Sequence, residues 1–277
     1  MAGLRELRKR LKSVRTTGQL AGAMRTVAAA KYSRVNAARL SYGAYAAACR
    51  EMQQAAGYTG RRPMEGTDGK PRCFVLFSSN RGLCGGFNAE LLNLFYSRYR
   101  EAKPTPLVVA CGKMAVAFCR EKEIALEQEI LLDDVPLFEQ AQQLAARLKE
   151  LYASGAVSGV DILYQRFENM LRQTPVIRQV LPDADDGAQA ATADLLFLPD
   201  HETVCERLAE HGFDTTVYAI SLEHASGAQA ATLMAMRSAY DNAAQSALEL
   251  ETTINRRRQA EVTASVIETA ADNVQQP

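Results

Sequence analysis

Prolines, histidines and paired cysteines are what this sequence has little of, and each shortage excludes something. Eight of its nine prolines lie between Pro63 and Pro199 and the ninth is Pro277. Proline removes a backbone donor and clashes with the preceding turn, so both ends of the chain are open to long uninterrupted helices. The three histidines, His201, His211 and His224, lack the spacing of zinc ligands. The six cysteines, at 49, 73, 84, 111, 119 and 205, form no CxxC pair. Most sit in apolar stretches, where a thiol packs as a small hydrophobe, a pattern that fits a reducing compartment. No run of about 18 apolar residues is available to span a bilayer. The basic start also lacks the apolar core and small-residue cleavage site of a secretory signal. Paired carboxylates, a Ser/His/Asp set and a metal-ligand cluster are likewise missing from the motif pattern. The expectation is a soluble or peripheral chain with no metal, no cofactor and no catalytic residues, whose work is mechanical.

What is present is helix-forming sequence at both ends. Ala, Leu, Arg, Gln and Met dominate residues 1–57 and 213–274, all good helix formers. At 1.5 Å per residue each segment would reach about 80 to 90 Å. In the C-terminal segment Leu233, Met236, Tyr240, Ala243, Ala247, Leu250 and Ile254 step alternately by three and four, the seam of a coiled coil. Leu4, Leu7, Leu11 and Val14 open the same pattern at the N-terminus. Beyond Val14 that seam gives way to Gly18, Gly22 and Ala28 to Ala30, small residues that let two backbones approach closely. Helices this long must pack on each other or on a partner, and because they flank one central segment, a chain reversal makes them antiparallel. Charge is uneven as well. The first 62 residues carry 13 Lys or Arg against Glu6 and Glu51, within a chain of zero formal net charge. Such an arm attracts acidic protein, nucleic acid or anionic lipid at long range, unless it is simply a solvated helix face.

Between about 72 and 212 the pattern changes to short β-branched runs separated by turns. Strands are expected at Cys73 to Ser79, Leu107 to Cys111, Val160 to Phe167, Val176 to Leu181 and Leu195 to Leu198. Helices are expected at Gly86 to Tyr99, Lys113 to Lys122, Phe138 to Ser154 and His201 to His211, an alternation that places helices on the faces of a sheet. Residues 57–71 and Asp183 to Gly187 read as surface connections. The fold class is thus α/β: a long antiparallel coiled coil of the N- and C-terminal helices with an inserted Rossmann-like α/β domain. Its parts are 1–57, 72–212 and 213–277.

One local motif stands out, Ser78-Ser79-Asn80-Arg81-Gly82-Leu83-Cys84-Gly85-Gly86-Phe87-Asn88, a glycine-rich turn between a strand and a helix. A helix N-terminus there is placed to hold an anion. The turn lacks the Lys and Ser/Thr of a phosphate loop and the glycine spacing of a dinucleotide fingerprint. Cys84 at a helix start has a nucleophile's position, but no histidine lies near it in sequence to act as base.

Three segments together resemble the gamma subunit of the F-type ATP synthases. MAGLRELRKRLKSVRTTGQLAGAMRTVAAAKYSRVNAAR is similar to that family's N-terminal shaft helix, SSNRGLCGGFN to its central GLCG turn, and MRSAYDNAAQSALELETTINRRRQAEVTASVIE to its C-terminal shaft helix. The resemblance implies a non-catalytic rotor shaft inserted into a hexamer of alpha and beta subunits. Its foot would rest on a membrane ring of c subunits beside epsilon, with delta also in the head. It implies peripheral attachment on the cytoplasmic side of the cell membrane, and no nucleic acid. By motif, Arg258 and Gln259 match a pair that catches a loop of beta, and Thr263 matches a nearby contact. Met24, Arg25, Lys31 and Cys84, with Arg8 and Lys9, fall in segments facing the acidic lever of beta. Tyr218 and Glu223 fall in the foot, towards the ring or epsilon. The sequence departs from the family's pattern at Gly22, where lysine is common, and at Asn80, Gly227, Ala228, Ser265 and the ending Ala271 to Pro277. Two other readings compete: a stand-alone α/β enzyme using residues 78–88, and a basic coiled-coil scaffold for nucleic acid. The second has little aromatic residue in the arm for base stacking.

Overall fold

The computed structural model describes residues 2–58, 69–182 and 196–274. In chain order they form α1 (Ala2–Ala55), β1 (Arg72–Phe77), α2 (Phe87–Glu101), β2 (Leu107–Cys111), α3 (Lys113–Glu121), β3 (Gln128–Ile130), α4 (Phe138–Ala153), β4 (Gly159–Phe167), β5 (Gln173–Leu181) and α5 (His201–Val274). The residues divide into two compact units, Met1–Val27 with Leu233–Pro277, and Ala28–Thr232.

In the first unit the ends of α1 and α5 pack together as an antiparallel pair. Ala243 faces Gly18, Tyr240 faces Gly22 and Arg257 reaches Gly3, so numbers on α5 fall as those on α1 rise. The expected seam is the sheltered stripe at six of its seven positions: Leu233, Met236, Ala243, Ala247, Leu250 and Ile254 are buried or half-buried while most of their neighbours are exposed, and Tyr240 is the exception, 39% exposed. On α1 the stripe runs past Val14 instead of fading, because Gly18 and Ala21 are both buried. Small side chains continue the seam by letting the partner helix come closer. Arg15 and Glu251 add an ion pair, exposed enough to contribute little.

The second unit is a five-stranded sheet in the order β3-β2-β1-β4-β5. β1, β2, β3 and β4 run parallel and β5 is antiparallel to β4, so the sheet is mixed. Alternation along the strands splits the core. Cys73, Val75 and Phe77 of β1 face a layer with Leu144 and Leu148 of α4 and Phe213, Val217 and Ile220 of α5. Phe74 and Leu76 face the opposite layer, with Leu91 and Phe95 of α2 and Ala115 and Cys119 of α3. Within this unit α1 joins α5 through Val35, Leu222 and Ala225.

Three expectations change. The helix expected at His201 to His211 does not end there but runs on as α5. Gly212 is a crossing point, since a Cβ there would lie 2.1 Å from Gln53 Nε2, and that amide donates to the Leu208 carbonyl at 3.0 Å. Of the expected strand Leu195 to Leu198, residues 196–198 are not in the sheet and Leu195 lies outside the described residues. The fifth strand is instead Gln128–Ile130, a three-residue edge too short to leave an alternating pattern. Residues 59–68 and 183–187 of the two expected connections also lie outside the described residues. No helix among the described residues is long and apolar enough to cross a membrane.

Candidate functional site

Open parallel sheets bind ligands in the crevice at the strands' carboxyl ends where strand order reverses. Here that place lies between β1 and β4, and α5 fills it. His224 is buried, its Nδ1 accepting a hydrogen bond from the Gln165 backbone N–H at 3.2 Å. Its ring meets Phe77 and Phe87 at centroid distances of 5.5 and 5.1 Å. The neighbouring Glu223 carboxylate accepts from the Phe167 N–H at 3.1 Å. A cavity of about 30 Å³ remains, bordered by Ser78, Asn80, His224 and Gln229, room for one water and no nucleotide.

The glycine-rich turn beside the crevice is closed by its own side chains. Asn88 accepts from the Ser79 N–H at 3.1 Å and donates to Ser79 Oγ at 2.7 Å and to Cys84 Sγ at 3.2 Å. Glu90 stands in the first turn of α2, with Oε1 3.0 Å from where a Gly86 Cβ would be. The protein's own carboxylate thus occupies the favourable position at that helix start. Cys84 is buried with Phe87 and Ala228. Leu83, by contrast, is 60% exposed with φ at +65°.

The residues singled out by resemblance fall into three groups. Arg258, Gln259 and Thr263 are exposed on α5 in the first unit, the Thr263 hydroxyl donating to the Gln259 carbonyl. Met24 and Arg25 are half-buried on α1 of the same unit, with the Arg25 guanidinium 4.7 Å from the centre of the Tyr240 ring. Arg8 and Lys9 are exposed on α1 of the first unit too, and the remainder lie in the second unit. Lys31 is ion-paired with Asp134. Tyr218 donates to the Pro136 carbonyl at 3.3 Å and packs edge-on against Tyr42 and Phe138. Burial raises the Glu223 carboxyl above its usual range, opposed by the Phe167 N–H, Tyr164, Arg39 and Arg178. Among the described residues no group of three or more His, Cys, Asp or Glu is arranged to hold a metal ion.

The family model for ATP synthase matches residues 3–271. The chain is 32% identical over 276 residues to the ATP synthase gamma chain of Moorella thermoacetica, covering 98% of both. It belongs to the ATP synthase gamma chains. A second gamma chain, from Rubrobacter xylanophilus, is also 32% identical, over 98% of this chain and 97% of its own length. Among solved structures, a chain of the rotor of the Euglena gracilis mitochondrial ATP synthase superposes with a TM-score of 0.68 at 19% identity, over 94% of this chain and 99% of that one. A chain of the Tetrahymena thermophila mitochondrial central stalk and c-ring superposes with a TM-score of 0.61 at 19% identity, over 79% and 99%. These two likenesses are of fold.

Sequence reasoning about this gamma chain missed the roles of His224 and Gln165. A lone histidine in an alanine-rich helix carries no motif, and a glutamine inside a β-branched run looks like an outward-facing position. The Gln165 side chain is in fact fully buried and donates to the Phe87 carbonyl at 2.7 Å. Only the pairing of β4 with α5 reveals either role.

Proposed function

We propose that this gamma chain is the central shaft of a rotary ATP synthase, carrying no catalytic residues itself and coupling ion flow through a membrane ring to nucleotide chemistry on beta subunits. The observation that carries the reading is the antiparallel pairing of two helices from opposite ends of the chain, seen in each unit, in a chain of this family. An asymmetric shaft turning inside a ring of alternating alpha and beta subunits meets each beta differently at each angle. Only such a differential interaction shifts the populations of open and closed beta conformations. The exposed Arg258, Gln259 and Thr263 are the direct contacts to that stator, with Arg25 and Met24 on the facing helix. Lys31 contributes from the domain through the exposed part of an already paired ammonium, and the buried Cys84 contributes from behind the surface, anchoring the turn that presents the exposed Leu83. Tyr218 and Glu223 act on the foot from inside, holding α5 against the sheet beneath the surface that meets the ring and epsilon. Attachment to the membrane is peripheral, on the cytoplasmic side, and delta completes the head.

Reconstitution with alpha and beta subunits tests the reading. The expected product is a complex of one chain to six whose ATP hydrolysis depends on the chain. A double variant, Arg258→Ala with Gln259→Ala, is expected to cut hydrolysis by about tenfold, the size of one or two charge-assisted contacts, without changing the melting temperature of the isolated chain. A hexamer whose hydrolysis ignores the chain would sink the proposal.

A further inference from the structure

The helix pairing of the first unit ends on an anomaly. From Leu4 the sheltered positions of α1 advance through Leu7, Leu11, Val14, Gly18 and Ala21, and the next step in that series is Arg25. A permanently charged guanidinium therefore stands in a seam where an apolar residue is the rule. Among the described residues the ion pairs of this unit are Arg15 with Glu251 and Arg237 with Asp241, and neither takes up Arg25. Its partner is an aromatic face instead: the guanidinium carbon lies 4.7 Å from the centre of the Tyr240 ring. Tyr240 is itself a seam residue of α5, and the ring fits because Gly22, nearly one turn before Arg25, has no side chain. A Cβ at Gly22 would lie 3.3 Å from Tyr240 Cδ2 and 3.4 Å from Cε2. The glycine is a recess, the ring lies against it, and the half-buried arginine carries its head over the ring face.

We infer that Tyr240 is a positioning residue, a flat platform that aims the Arg25 guanidinium out of the seam towards a carboxylate on the surrounding stator subunits. The inference rests on the shaft reading above. A planar fork suits a carboxylate through two parallel hydrogen bonds, and its usefulness depends on being presented in one orientation. Stacking supplies that orientation without neutralising the charge, as an intramolecular ion pair would. Gly22 belongs to the same device, since even a methyl group there would sit tight against the ring and make it give by a few tenths of an ångström.

Four variants in complexes reconstituted with alpha and beta subunits test this: Y240F, Y240L, R25Q and R25Q with Y240L. ATP hydrolysis is read against ionic strength, and thermal melting is followed on the isolated chain. Leucine is a better seam residue than tyrosine, so Y240L melts no lower than the unsubstituted chain. It nevertheless loses about two- to fivefold in kcat at low salt, the size of an exposed cation–π contact. Y240F keeps the ring and retains the rate. R25Q loses at least as much as Y240L, flattens the salt dependence, and is not worsened by adding Y240L. If Y240L retains the rate as Y240F does, or if its loss multiplies with that of R25Q, the positioning role is overturned while Arg25 stands as a contact. If R25Q alone leaves the rate and its salt dependence unchanged, the Arg25 contact fails and this inference with it. The shaft assignment then still stands or falls on whether hydrolysis needs the chain.

Discussion

Gly112→Ala is expected to lower the melting temperature of the isolated chain by roughly 10 °C, from a loss of about 4 kcal/mol. Gly112 links β2 to α3 with φ at +103° and ψ at 152°, a combination open to glycine and costly for any L-side chain. The backbone is held there from both sides. Its N–H donates to the Ile130 carbonyl at 2.9 Å, and the preceding Cys111 carbonyl accepts from the Ser78 N–H at 2.8 Å. A Cβ would lie 2.3 Å from the Ser78 carbonyl oxygen and 2.7 Å from Ser78 Oγ. The first of these is backbone and cannot rotate away. Ser78 Oγ also accepts from the Ala115 N–H at 2.7 Å, so displacing it uncaps α3. Gly43 is the control, because it lies within α1 with nothing inside 4 Å of an added Cβ. Gly43→Ala is expected to stabilise by about 1 kcal/mol through helix propensity alone. Thermal melts of the two variants compared with the parent check the pair, and a Gly112→Ala chain melting within two or three degrees of the parent would refute the steric argument.

Acid is expected to weaken the join between α5 and the sheet through one residue. Burial pushes the His224 pKa down from 6.5 to about 3, against a smaller opposing pull from the Ser78 backbone. The folded form thus holds a neutral imidazole where the unfolded chain takes up a proton. The associated stability is present above pH 6.5 and is lost as pH falls towards 3, at about 1.4 kcal/mol per pH unit. Between pH 7 and pH 4.5 the loss from this residue is about 2 to 3 kcal/mol. The groups around the ring are the Gln165 N–H and the phenyl rings of Phe77 and Phe87. Asp133 and Asp134 border the adjoining cavity, and Asp134 is already paired with Lys31. His224→Asn keeps an acceptor for the Gln165 N–H and removes the titration. At pH 7 that variant should be the weaker of the two, having lost ring contacts. By pH 4.5 the gap should close or reverse in urea unfolding, and a gap that stays constant with pH would rule the mechanism out.

The residues differ in how much of this was legible beforehand. Both terminal helices were, because the absence of proline and the three-four stepping of Leu233 to Ile254 are local properties of the chain. Four of the five strands were, because β-branched runs between turns carry their own signal. Gly18 and Gly22 were legible as positions where another backbone comes close, but the residues they make room for, Ala243 and Tyr240, were not, and Gly212, which gives room to Gln53, carried no such signal. The edge strand Gln128–Ile130 was invisible for a different reason. It exists because β2 offers Val109 to Cys111 as a template, not because its own three residues favour extension. The proposed stator contacts were legible only through resemblance. Exposed Arg258 and Gln259 have no intramolecular geometry to mark them, while the residues that organise the domain interior, His224 and Gln165, carry no motif.

The packing of α5 into the crevice between β1 and β4 has a mechanical consequence. A pocket that elsewhere in this architecture would admit and release a small molecule is here a keyway, with Glu223 and His224 as the key engaging backbone amides of β4. A twisting load applied to the sheet enters the helix through directional hydrogen bonds and interlocked rings instead of a greasy surface that might slip. The domain's own fold has traded a docking place for a clutch that stays engaged.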